Sequence, residues 1–384
     1  MHRFLLLLFG LIAIFWLTYG LRVVWSAVKL PRLRQSVLAA VAQCPSISVL
    51  FAARDEEEKL AEALHTFLAL DYPDFEIVAA DDRSTDSTSR ILREIAAKDS
   101  HLRLVRIDEL PAGWLGKPHA LQKAYEASTG EWLLFTDADV QLRADTLRRA
   151  ISLAQKRKLD HLTLMCRLVM HGFWEKATLT FFALGLFLLA DPYGMEDPRS
   201  KSYAGIGAFQ LVRRKAYEAS GGHRKLALEV VDDMRLARNV KRAGFRSGMA
   251  LATEFVSVRW HAGVKNIVRG VTKNFFAAAD YSLGRVAMQS LGLFAASVLP
   301  FLALPFLRGS AQVFAALAAA AAIALEAAVA VIMETSPLYA LSHPIGALLF
   351  DYMLLRSTAI TLWQGGVTWR DTFYSLDELR RGGT

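Results

Sequence analysis

The chain has 384 residues, a formal charge of +8 and 53% hydrophobic residues, a balance that suits a membrane protein with a basic soluble part. No RNP-like, zinc-finger or helix-turn-helix pattern accompanies the basic charge, so nucleic acid is not expected as a partner. The two cysteines, Cys44 and Cys166, lack metal-ligand spacing and speak against a disulfide framework.

The first element in chain order is an apolar run from Phe4 to Leu21, continuing past Arg22 to Val28. It is longer than a signal-peptide core and has no small-residue cleavage site. Arg22, Lys29, Arg32 and Arg34 follow it, against Arg3 before it. Residues 1–30 therefore read as a signal anchor, with the N-terminus outside and the following chain in the cytosol.

From about Pro45 to Arg285 apolar runs alternate with amphipathic stretches. "SISVLFAA" reads as a buried strand and "DEEEKLAEALHTFLAL" as a helix with acidic residues in its first turn. "FEIVAADD", "LRLVRID" and "WLLFTDAD" are further strands, with "RSTDSTSRILREIAAK" and "KPHALQKAYEAS" the helices between them. Such alternation predicts a parallel sheet covered on both faces, with ligands beyond the carboxyl ends of its strands. Three polar clusters fall at those ends: Arg54-Asp55-Glu56, Asp81-Asp82 and Asp137-Ala138-Asp139. Residues 173–193 are apolar but carry Glu175 and Lys176, and read as a membrane-surface helix or a buried core helix.

Beyond Arg285, Val286 to Leu307 and Ala311 to Met333 are each long and apolar enough to span a bilayer. Ile345 to Gln364 has similar length but contains Asp351 and Arg356, so it reads as a third span or an interfacial segment. Residues 286–364 then form a membrane region, and 365–384 a tail expected on the cytosolic side.

Strand alternation would aim Asp137 and Asp139 to the same side. Two like charges there call for a positive partner, and Mg²⁺ or Mn²⁺ is commonly held by one or two carboxylates together with substrate phosphates. Asp232 and Asp233 precede the amphipathic "MRLARNVKRAG", where a carboxylate either caps the helix or serves as a base.

Taken together, "VLFAARDEEEKL", "DDRSTDST", "GKPHAL", "FTDAD" and "VVDDMRLARNVKRAGFR" resemble, in order, the family 2 glycosyltransferases of GT-A fold. "DPRSKSYAGIGAFQLVRRKAYEASGGH" and "GGVTWRDTFY" resemble its membrane-bound branch, which glycosylates hopanoid, carotenoid and ceramide-type lipids. The resemblance implies a nucleotide-sugar site from Ala52, Arg54, Glu56, Asp82, Lys117, Asp137 and Arg269. It also implies a Mg²⁺ or Mn²⁺ site at Asp137 and Asp139, and a general base at Asp233 beside Asp232. Asp55 stands where the family usually has Asn. Of the family's Gln-x-x-Arg-Trp only Arg269 survives, which argues against a processive polysaccharide synthase. The expectation is a multi-pass enzyme of the inner (cytoplasmic) membrane that moves a sugar to a lipid hydroxyl by inversion. Transfer to a polyprenyl phosphate, or a non-enzymatic scaffold or translocator subunit, are the alternatives.

Overall fold

The computed structural model describes residues 2–370 and 372–382, which divide into two compact units. One is built from Leu30–Val169, Pro192–Trp260 and the chain from Arg381, the other from the chain up to Lys29, Met170–Asp191 and His261–Arg380.

The first unit contains β1 (Ile47–Ala53), β2 (Phe75–Asp82), β3 (Leu102–Ile107), β4 (Trp132–Asp137), β5 (Val140–Leu142), β6 (His161–Met165), β7 (Arg167–Leu168), β8 (Gln210–Arg213), β9 (Ser247–Leu251) and β10 (Val256–Val258). Seven of them form one sheet in the order β3-β2-β1-β4-β8-β6-β9, and β5-β10-β7 form a smaller one. All neighbours in the large sheet are parallel except β8, which runs against both β4 and β6. The sheet is α/β and mostly parallel, as the alternating pattern predicts.

Burial on both faces explains why β1 is apolar at every position but Ser48. Val49 and Phe51 enter one core cluster with Leu60, Leu64 and Phe67 of the helix Leu60–Leu68. Leu50 enters the other, with Ala120, Leu121 and Ala124 of the helix Gly116–Glu126. The period of two thus distributes one strand between two cores. Register then gathers the polar ends: Ala52 lies beside Asp137, and Ala53 beside Asp81.

In the helical unit, the helices Arg3–Lys29, Gly172–Ala190, Gly309–Ile332 and the stretch Pro337–Gln364 are long and apolar enough to cross a membrane. Gly172–Ala190 separates β4 from β8 in sequence, yet those strands are hydrogen-bonded neighbours. One complete crossing by that helix would put them on opposite sides of a bilayer, so it is incompatible with the sheet. Its Glu175 carboxylate is used as a local acceptor, from the His171 amide at 2.6 Å and the Gly263 amide at 2.5 Å.

The single span expected over Val286–Leu307 is two helices, Leu283–Ser297 and Leu299–Ala303. Pro300 has no N–H to give the Ala296 carbonyl four residues back. The indole of Trp16 takes that carbonyl instead, at 2.9 Å. The continuous part of the sheet-bearing unit also ends at Trp260, before the Arg285 boundary expected from composition. Residues after it bury Ile267, Val271, Phe276 and Ala277 in the helical unit. Within that unit Glu326 of the helix Gly309–Ile332 is fully buried against His343, at 2.6 Å. Arg356 donates to the Thr272 hydroxyl, so both polar groups have protein partners.

Candidate active site

The loop after β1 is locked to the loop after β2. Asp55, with a positive φ of 53°, accepts from the Thr85 amide at 2.7 Å and the Thr85 hydroxyl at 3.2 Å. Its own amide donates to Ser84, and the Glu56 amide donates to Thr88 at 2.8 Å. The Asp55 side chain works as an acceptor alone, a task that the amide oxygen of the family's usual Asn shares. Arg54 is buried at the strand end and its guanidinium lies 3.9 Å from Asp55. Asp81 accepts from the Ser84 amide at 3.3 Å and from the Ser89 hydroxyl. Buried Asp82 holds Arg83 through both oxygens, at 2.8 and 3.1 Å. Gly116 lies so close to the Asp82 carboxylate that a side chain there would overlap it.

The two carboxylates that end β4 are each met by a lysine. Lys117 lies 2.7 Å from Asp137 and Lys59 lies 2.9 Å from Asp139. Strand geometry does not carry through to the second of them, because β4 ends at Asp137 and Ala138-Asp139 form a turn. In the sequence Lys59 follows three glutamates and reads as a solvated helix start, with no local signal of this pairing. Burial works against the Lys117 charge, but the carboxylates of Asp137, Asp232 and Asp233 outweigh it and hold its pKa well above the ordinary lysine value.

Asp232 and Asp233 open the helix Asp232–Arg242. Asp233 accepts from the next amide, Met234, at 2.7 Å through one oxygen and from the Gly207 amide at 3.1 Å through the other. It therefore engages the helix's first turn and a distant loop at once. Burial is the main force raising the Asp233 pKa above the usual carboxylate range. Asp232 adds to it, and Lys117 opposes it.

Of the glycines in the Ala204-Gly-Ile-Gly-Ala208 stretch, Gly205 is needed for this approach and Gly207 keeps room beside it. A Cβ on Gly205 would overlap the Asp233 backbone carbonyl, and one on Gly207 would stand 3.0 Å from the Asp137 carboxylate and 3.6 Å from that of Asp233. In the structure Gly205 makes room for Asp233, and Gly207 lies against both Asp137 and Asp233.

Ala52, Arg54, Glu56, Asp82, Lys117, Asp137, Asp139, Asp232 and Asp233 all belong to the sheet-bearing unit, while Arg269 lies on the helix Val264–Val271 of the helical unit. Also in that unit, the Lys273 ammonium stands 3.6 Å over the Trp369 ring. His223 is buried with Nδ1 2.9 Å from the Tyr217 hydroxyl, and burial lowers its pKa to about 3, fitting a structural histidine.

Residues 48–221 match the family described as Glycosyl transferase family 2. Over 340 residues the chain is 23% identical to the 4,4'-diaponeurosporenoate glycosyltransferase of Staphylococcus aureus, covering 87% of this chain and 89% of that protein. It is 28% identical over 200 residues to the Beta-monoglucosyldiacylglycerol synthase of Nostoc sp., covering 50% of this chain and 40% of that one. In fold it is similar to the mannosyltransferase PcManGT from Pyrobaculum calidifontis, solved in complex with GDP-Man and Mn²⁺. That likeness has a TM-score of 0.56 at 20% identity and covers 94% of this chain and 99% of that chain. The chain thus carries a glycosyl transferase family 2 domain of GT-A fold, and it is a glycosyltransferase.

Proposed function

We propose that the protein transfers a sugar from a nucleoside-diphosphate sugar to a hydroxyl of a membrane lipid, with Asp233 as the general base. The observation that carries this reading is the Asp233 carboxylate, fixed by two amides and raised above the usual carboxylate range beside the Lys117–Asp137 pair. A base is required only when the acceptor arrives protonated, so the site suits a neutral hydroxyl better than a phosphate.

In this reading Ala52, Arg54, Glu56 and Asp82 bind the nucleoside end, and Lys117 serves the diphosphate. The acceptor oxygen attacks the anomeric carbon while its proton passes to an oxygen of Asp233. The bond from that carbon to the diphosphate breaks, and the diphosphate leaves with the electron pair. One displacement without an enzyme nucleophile inverts the anomeric centre.

Asp137 and Asp139 fit a hard divalent cation, Mg²⁺ or Mn²⁺. Both present carboxylate oxygens, and no cluster of three or more His, Cys, Asp or Glu ligands occurs among the described residues. That donor set matches cations that use substrate phosphate for their remaining positions. Such a cation supplies positive charge to the departing diphosphate. Lys117 and Lys59 meanwhile hold the two carboxylates by ion pairing.

The lipid acceptor is supported by relatives named for a carotenoid and a diacylglycerol acceptor, and by the apolar helices. A hopanoid or sphingolipid-like acceptor follows the sequence resemblance. Purified protein, a panel of labelled nucleotide sugars and lipid extracts should move label into the organic phase. Acetylating the lipid hydroxyls beforehand should abolish this. Label found only on polyprenyl phosphate, or only in a water-soluble polymer, overturns the proposal.

The topology follows from the same reading: a signal anchor, a catalytic unit in the cytosol, and two later crossings that return the tail to the cytosol. Gly309–Ile332 and Pro337–Gln364 supply the two crossings. A cysteine placed at Ser375, in a background lacking Cys44 and Cys166, should resist a membrane-impermeant thiol reagent until cells are permeabilised. Labelling of intact cells refutes this arrangement.

A further inference from the structure

The Gly207 amide that meets Asp233 belongs to the turn Ile206-Gly207-Ala208-Phe209, closed by the Phe209 amide on the Ile206 carbonyl at 3.0 Å. With glycine and alanine at its centre, the turn has no polar side chain to hold its own shape, and glycine adds conformational freedom. Two threonines of the sheet hold it instead. Thr136, the residue before Asp137 on β4, donates to the Ala208 carbonyl at 2.8 Å. Thr163 of β6 is fully buried, and its hydroxyl works in both directions. It accepts from the Ile206 amide at 3.1 Å and donates to the Phe209 carbonyl at 3.0 Å.

The placement of Thr163 goes beyond ordinary strand pairing. The β6–β8 ladder has Thr163 opposite Gln210, where β8 begins. Ile206 and Phe209 lie just before that strand, and the backbone pairing reaches the turn carrying Gly207 only at the Phe209 carbonyl, through the Leu164 amide at 3.3 Å. Thr163 clamps the residues on both sides of Gly207, and the amide between them points to Asp233 Oδ2 at 3.1 Å.

We propose that Thr163 is a positioning residue for the transfer reaction, aiming the Gly207 amide through the Ile206–Phe209 turn and thereby fixing the carboxylate that receives the acceptor proton. This rests on the reading of Asp233 as base.

Thr163→Val keeps the shape and removes both hydrogen bonds of the hydroxyl. The Phe209 carbonyl retains the Leu164 amide at 3.3 Å, so the fold keeps one of the two clamped groups satisfied. The expected result is a fall in kcat of about tenfold with donor KM unchanged within about twofold, and recovery in Thr163→Ser. In an Asp233→Asn background, Thr163→Val should lower kcat no further, because a residue acting through the base has nothing left to position. An equal drop in both backgrounds, a raised donor KM at unchanged kcat, or no change overturns the inference. Should Asp233→Asn itself retain full turnover, the base reading fails first and is distinguished by that variant alone. If Thr163→Val does not accumulate as folded membrane protein, Thr163→Ala enters the same cycle with the same expected pattern and the same refuting outcomes.

Discussion

Asp233→Asn should lower turnover by about two to four orders of magnitude, the usual range for loss of a general base, while donor binding changes little. Asparagine has the size of the native side chain but cannot take a proton. It also has one acceptor oxygen, whereas Asp233 uses two, for Gly207 at 3.1 Å and Met234 at 2.7 Å. The pH dependence has a fixed sign. The base must be ionised, and burial with the Asp232 charge raises its pKa above the usual carboxylate range. Activity of the wild type should therefore fall as pH drops through that raised value, earlier than an exposed aspartate would require.

Stability should move the opposite way. Below the ordinary carboxylate pKa both folded and unfolded chains hold the proton, and the side chain carries no ionisation penalty. As pH rises, the unfolded chain ionises first, so the folded state loses stability until pH has passed the raised native value. Asp233→Asn removes that penalty. Asparagine leaves one of the two amides without an acceptor at every pH. The fixed-sign result is therefore the trend: the variant's melting temperature relative to the wild type's should rise from acid to neutral pH. Unfolding curves at several pH values check this. A variant that loses nucleotide binding at unchanged turnover would assign Asp233 to the donor instead.

Most of the strands around this site are legible because each is a short apolar run ending in polar residues. "SISVLFAA" becomes Ile47–Ala53 and "FEIVAADD" becomes Phe75–Asp82, and their ends carry Arg54 and Asp81-Asp82. What local pattern does not carry is long-range pairing. The antiparallel insertion of β8 between β4 and β6 depends on partners far away in sequence. The same holds for the broken helix at Pro300: proline signals a break, but the indole that takes the freed carbonyl is Trp16, 280 residues distant. Gly205 and Gly207 announce close backbone approach without saying to what, and only the fold identifies Asp233. Lys59 shows the limit most clearly, since its surroundings in sequence are acidic and its partner Asp139 lies 80 residues on.

Asp139→Ala should lower donor turnover by about a hundredfold or more, the scale for removing a group that stabilises developing charge, and leave the protein folded and membrane-bound. The stability half of this follows from exposure. The Lys59 and Asp139 side chains are 42% and 18% exposed, so their ion pair stands in partly solvated surroundings. Pairs of that kind contribute about 0–1 kcal/mol, too little for their loss to unfold a domain of this size. The activity half follows from the donor set, since deleting one of two carboxylates halves what the chain offers a divalent cation. Two explanations of a loss must be separated, because Asp139 also orients Lys59 toward the Arg259 carbonyl at 3.4 Å. Lys59→Met removes the ammonium and leaves the carboxylate. If Asp139 serves the diphosphate through a cation, Lys59→Met retains most of the turnover and responds to Mg²⁺ or Mn²⁺ titration, whereas Asp139→Ala does neither. If Asp139 merely holds Lys59, the two variants lose turnover alike. Full turnover of purified Asp139→Ala with a chelator present removes the metal role altogether.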